Sequence, residues 1–138
     1  VIVLSLRKHR AEAKKAGYRS KFEHTIAQWL EEAKINFEYE PCKLDYIVPE
    51  SKHKYTPDWK IGKIFFESKG KLTAMDRKKI LHVLSSNPSV DIRIIFQNAD
   101  VKLNKGSPTT YGMWATKHGI KWYDWRKDKN WLKAKSIK

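Results

Sequence analysis

The sequence predicts an α/β protein, a mixed β-sheet flanked by helices. Segments with apolar residues at helical spacing alternate with short, mostly apolar runs bounded by Gly, Pro and polar residues. The resulting order, α-β-β-β-α-β-α-β without an internal repeat, is that of neither a helical bundle nor an all-β sandwich. Size agrees: 138 residues, 41% hydrophobic and 12% aromatic, provide for one packed core and exclude a wholly disordered chain. We expect a basic arm over 1–17, a folded domain over 18–125 and a basic tail over 126–138.

Residues 1–17 lose their apolar period after Leu6 and end at Gly17. Ser20-Lys-Phe-Glu23 has the form of a capping box, and Phe22, Ile26, Trp29, Leu30 and Ala33 follow at helical spacing, predicting a helix over 20–34. Residues 37–48 alternate imperfectly around Pro41, which predicts an interrupted strand. Pro49–Lys54 reads as a polar connection. Tyr55–Lys60 and Ile64–Lys69 then form two strands around a turn at Gly62. Thr73 caps a second helix to Ser86, with Ile80, Leu81 and Leu84 inward. Ile92–Gln97 is apolar enough for an interior strand. Ser107 at N-cap and Pro108 at the first helical position predict a third helix, closed by Gly119. Ile120–Trp125 is the last strand.

Lys and Arg number 29 against 15 Asp and Glu, and 29 − 15 gives a formal net charge of +14. Charge of this size opposes compaction by self-repulsion and is relieved by a polyanion, nucleic acid before an anionic membrane surface. The basic residues are spread over helices, strands and loops, with runs at Arg7–Lys15, Arg77–Lys79 and Lys127–Lys138. An amphipathic membrane binder would concentrate them on one helix. No window approaches the roughly 18 consecutive apolar residues of a membrane span. The apolar start, Val1 to Leu6, is too short for a secretory signal. Cys42 is the only cysteine, which excludes an intrachain disulfide and fits a reducing, cytoplasmic setting.

The chemistry gathers in residues 55–70. Period-two geometry puts Phe65, Glu67 and Lys69 on one strand face, and the turn at Gly62 brings Asp58 to the same end of the ladder as Glu67. Two carboxylates and an ammonium then converge among aromatic and aliphatic neighbours. Hard divalent cations such as Mg²⁺ take oxygen ligands and keep several waters. Asp58, Glu67 and the Ser68 backbone carbonyl form such a set, with Lys69 beside it to orient or deprotonate a water. The competing reading is a surface hairpin with a Glu–Lys pair, against which the Phe-Phe run before Glu67 argues. Glu23 also has two readings: the third helical position of a capping box, or a carboxylate at the edge of the apolar stripe, facing a metal.

Pro-Asp, a spacer and Glu-x-Lys resemble the PD-(D/E)xK nuclease motif. The likeness extends further: the chain resembles the endonuclease I family of T-odd podophages, Holliday-junction resolvases. It rests on Arg19-Ser20-x-x-Glu23, Ile35-Asn-Phe-Glu-Tyr-Glu40, Tyr46-Ile-Val-Pro49, Tyr55-Thr-Pro-Asp58 and Glu67-Ser-Lys-Gly70. Asp76-Arg-Lys-Lys79, Asp91-Ile-Arg-Ile94, Lys105-Gly-Ser-Pro-Thr109 and Lys117-His-Gly-Ile-Lys121 continue it, about residues 18–122 in all.

The resemblance implies a PD-(D/E)xK core in a strand-exchanged homodimer bridged around 44–54, with 18–125 as the nuclease domain. Each active site would join Glu23 of one chain to Asp58, Glu67 and Lys69 of the other. Asp58 and Glu67 would ligate one Mg²⁺, Glu23 and Asp58 a second, with Mn²⁺ as substitute and Lys69 assisting the attacking water. It implies a phage-encoded enzyme in the bacterial host's cytoplasm that cuts four-way junctions and other branched DNA by shape. Arg19, Arg77, Lys78, Lys79, Lys102 and Lys105 are the candidate DNA contacts, and Lys-Gly106-Ser-Pro reads either as a source of N–H groups for a phosphate or as a plain loop.

Ser68 stands where the family more often has Thr, and residues 1–17 depart from its basic start. Val1 points to a longer gene product. Trp122, Trp125 and Trp131 are unusual, as core or as a stacking platform for unpaired bases. These departures leave room for an alternative, a sequence-specific homing-type endonuclease on the same scaffold. His9, His24, His53, His82 and His118 have no metal-ligand spacing and are read as surface or packing residues.

Overall fold

A computed structural model describes residues 16–48 and 51–129. The expected arm through Lys15, the turn at Pro49 and Glu50, and the tail from Asn130 with Trp131 lie outside the described residues. The chain divides into two compact units, residues 1–36 and 37–138.

In the first unit, α1 spans Lys21–Glu32. Ser20 Oγ accepts from Glu23 N–H at 3.0 Å, as the capping sequence requires. Lys34 takes the left-handed conformation, φ 57°, while its N–H reaches Glu31 O and that of Ile35 reaches Leu30 O. That pattern ends the helix without a glycine. Glu23, Ile26, Ala27 and Leu30 share the buried face.

The second unit is built on a five-stranded mixed sheet in the order β1-β4-β5-β6-β7. Its strands are β1 (Glu38–Tyr39), β4 (Trp59–Ile61), β5 (Ile64–Lys69), β6 (Asp91–Phe96) and β7 (Trp122–Asp124). The first three pair antiparallel, and β5, β6 and β7 run parallel, each parallel step crossing through a helix. Those helices are α2 (Ala74–Ser86) and α3 (Tyr111–Lys117). Ile80 of α2 and Tyr111, Trp114 and Ala115 of α3 pack with Ile94 and Phe96 in one core cluster. Both helices therefore cover the sheet face that carries Phe65, Glu67 and Lys69. Phe66 and Ile95, pointing the other way, are also fully buried.

Three details differ from the expected elements. The interrupted strand over 37–48 is two strands in different sheets, because Glu40 turns left-handed (φ 46°) before Pro41. Its second half, β2 (Leu44–Val48), pairs with β3 (Ser51–Tyr55), a strand expected to be a polar connection. Nothing in Ser-Lys-His-Lys alternates in hydrophobicity. Cross-strand pairs hold it: His53 stacks on Tyr46 at 5.2 Å, and Lys54 meets Asp45 at 2.9 Å. Tyr55 therefore ends β3, and buried Pro57, which has no N–H to donate, separates it from β4.

The third helix opens at Thr110, not Ser107. Thr110 Oγ1 accepts from Met113 N–H at 3.2 Å, whereas Ser107 Oγ takes only the N–H of Thr109. Residues 109–111 are committed to backbone pairing with 101–103, through Leu103 N–H to Thr109 O and Tyr111 N–H to Val101 O. A helix cannot start until that pairing ends.

Candidate active site

The site lies at the C-terminal end of β5. The two-residue turn at Gly62 and Lys63 pairs Trp59 with Phe66, which carries Asp58 to a place opposite Glu67. Gly62 has φ 60°, the left-handed value the turn needs. The Asp58 carboxylate is near enough to act on the Glu67 carboxyl and raise it. Asp58 is fixed from behind: its Oδ2 accepts from Ser68 N–H at 2.9 Å and Ser68 Oγ at 2.8 Å. Ser68 thus acts here through its amide and hydroxyl.

Glu67 is 8% exposed. Burial first, and then the Asp58 carboxylate, hold its carboxyl well above the usual carboxylate range, while Lys69 and a hydrogen bond from Tyr55 pull it back. Tyr55 donates its hydroxyl to Glu67 Oε2. Burial and the same carboxylate raise the Tyr55 phenol well above its ordinary value. Lys69 Nζ meets Asp76 Oδ1 at 3.3 Å. Asp76 also closes the capping box of α2, accepting from Thr73 N–H at 2.9 Å.

Asp58, Glu67, Ser68 and Lys69 therefore come together as their spacing predicts. Glu23 belongs to the first unit, where it is 7% exposed. Among the described residues no group of three or more His, Cys, Asp or Glu side chains gathers at metal-ligating distance. The candidate DNA contacts vary in setting. Arg19, Lys78, Lys102 and Lys105 are exposed. Arg77 is half-buried and donates to Leu72 O at 3.1 Å, so part of its guanidinium serves the loop before α2. Lys79 Nζ lies 5.6 Å from the centre of the Tyr55 ring.

Two partners of the site were not foreseen. Asp76 had a legible signal, Thr-x-x-Asp before a helical run. Tyr55 had none, since its contact with Glu67 spans twelve residues and two sheets.

Two carboxylates and an ammonium thus stand at the strand ends of a mixed sheet, on a strongly basic chain. The profile described as phage endonuclease I matches residues 5–138. The chain is 44% identical over 121 residues to Endonuclease I of Escherichia phage T7, covering 87% of this chain and 81% of that protein. It is also 44% identical over 108 residues to Endodeoxyribonuclease 1 of Enterobacteria phage T3, covering 78% and 71% respectively. The chain belongs to the phage endonuclease I family. It has no helix among the described residues long and apolar enough to cross a membrane.

Proposed function

We propose that the chain is a divalent-metal-dependent endodeoxyribonuclease that hydrolyses phosphodiester bonds in branched DNA such as four-way junctions. The observation that carries this is Asp58 placed opposite buried Glu67 across the hairpin, with Lys69 two residues along the same strand. Two carboxylates set opposite each other in a buried site need a proton or a cation between them. Carboxylate oxygens are hard donors, so Mg²⁺ fits, with Mn²⁺ as substitute. A bound ion would polarise the phosphate and lower the pKa of a water. Asp58 and Glu67 would hold it, with the Ser68 carbonyl as a further oxygen.

The protein's own part is positioning. Ser68 fixes Asp58, Tyr55 fixes Glu67, and Asp76 tethers the Lys69 ammonium so that it can orient the attacking water and offset charge on the transition state. Exposed Lys78, Lys79, Lys102, Lys105 and Arg19, with the free part of Arg77, contact phosphates and select by the path of the backbone. We place the active domain over 18–125 as a PD-(D/E)xK core in a strand-exchanged homodimer. There Glu23 of the partner subunit completes the acidic set with Asp58 for a second ion. The enzyme acts in the cytoplasm of a bacterial host.

The test is cleavage with Mg²⁺ of a four-way junction, a random linear duplex and duplexes carrying candidate sites, side by side. Preference for the junction supports the proposal. Cutting of one linear sequence in preference to the junction would establish the homing-type alternative. Glu67→Gln should abolish cutting while leaving salt-sensitive binding, and normal cutting by that variant would overturn the site assignment.

A further inference from the structure

We infer that Tyr55 is a positioning residue for the reaction: its hydroxyl holds Glu67 in the orientation that receives the metal ion, and the ring's place in the core makes that hold rigid. The inference rests on the metal site proposed above. Tyr55 is 6% exposed and packs with Tyr46, Val83 and Ile92 in a core cluster. A phenylalanine would fill the same space. The hydroxyl is what needs explaining, since burying one without a partner is costly. It is directed at Glu67 Oε2.

Three features give the contact a role beyond packing. A glutamate's terminal torsion is broad and selects no single carboxylate plane, so a fixed donor on one oxygen sets it. Asp58 stands opposite the same residue across the hairpin, which places Glu67 between two groups of different kinds: a donor that occupies one oxygen and an anion that calls for a cation. Lys79 stands over the ring, 5.6 Å from its centre, and this cation–π contact helps hold the ring that carries the hydroxyl. A carboxylate ligand that is itself hydrogen-bonded is the usual arrangement around protein-bound metals, and losing the outer partner costs about 10–100-fold in affinity or activity.

Tyr55→Phe removes one oxygen and leaves the ring in its cluster. The full chain is measured three ways: Mn²⁺ binding by calorimetry without DNA, single-turnover cleavage against Mg²⁺ concentration, and thermal melting. We expect Mn²⁺ affinity to fall about 10–100-fold, with cleavage recovering toward the parent rate as Mg²⁺ is raised. Binding and cleavage within about twofold of the parent would overturn the inference, whatever the melting temperature does.

Should the variant fail to fold, the parent protein supplies the answer. The resonance of an isotope-labelled Tyr55 ring should move on Mg²⁺ addition and stay in place in Glu67→Gln. A resonance indifferent to Mg²⁺ in the parent overturns the inference. Glu67→Gln also separates the two levels. If it cuts DNA, the site reading fails; if it is inert while Tyr55→Phe behaves as the parent, only the role of Tyr55 fails.

Discussion

Asp76 joins the fold to the site, and removing its charge should be felt in both. One oxygen accepts from Thr73 N–H at 2.9 Å, and the other meets Lys69 Nζ at 3.3 Å. Asp76→Ala deletes a capping acceptor, costing about 1 kcal/mol. It also deletes an ion pair whose side chains are 22% and 28% exposed. Partial screening limits that pair to at most about 1 kcal/mol. The sum, roughly 1–2 kcal/mol, lowers the melting temperature by about 3–10 °C for a domain of this size.

Asp76→Asn keeps an acceptor oxygen for Thr73 and should lose about half as much. The sign with pH is fixed. Partial burial alone would raise the Asp76 carboxyl, but the Thr73 hydrogen bonds and Lys69 outweigh it and hold it below its usual range. A depressed pKa gives stability that is complete above the unfolded value, about 3.9, and is lost as pH falls through the lower folded one. Parent and Asp76→Asn should therefore differ at neutral pH and converge in acid. Thermal melts across that range are the assay. Equal melts at neutral pH, or a gap that persists unchanged in acid, would refute the reasoning.

Other consequences follow from single contacts. A Cβ on Gly112 would sit 2.7 Å from two atoms of the Trp122 ring, so Gly112→Ala should destabilise by about 1–3 kcal/mol in urea melts. Thr110→Ala should cost about 1 kcal/mol and Ser107→Ala distinctly less, the reverse of what Ser-Pro alone predicts. Junction affinity should fall with salt, log K dropping by roughly 0.9 per phosphate contact per decade of concentration, and Lys78→Ala should reduce that slope by about one contact.

What the sequence revealed depended on how local the cause was. The helix cap at Thr73, the tight turn at Gly62 and the apolar run entering Glu67 are short-range causes, and each appears where expected. The pairing of Asp58 with Glu67 was legible because a two-residue turn fixes the register on both sides of it. Ser51–Tyr55 was hidden because cross-strand pairs with β2, not its own pattern, make it a strand. Ser107-Pro108 misled because residues 109–111 pair with the stretch 101–103 just before them, a pairing that no local pattern announces. Tyr55 as partner of Glu67 was out of reach for the same reason, since two separate sheets must meet before the contact exists.

The central claim is that Asp58 and Glu67 are brought together to hold a hard cation, and one crystal soak tests it. In Mn²⁺-soaked crystals, anomalous scattering should place an ion between the two carboxylates, with oxygens at about 2.1 Å. Well-ordered Asp58 and Glu67 side chains in direct contact at saturating Mn²⁺, with no anomalous peak between them, would contradict it.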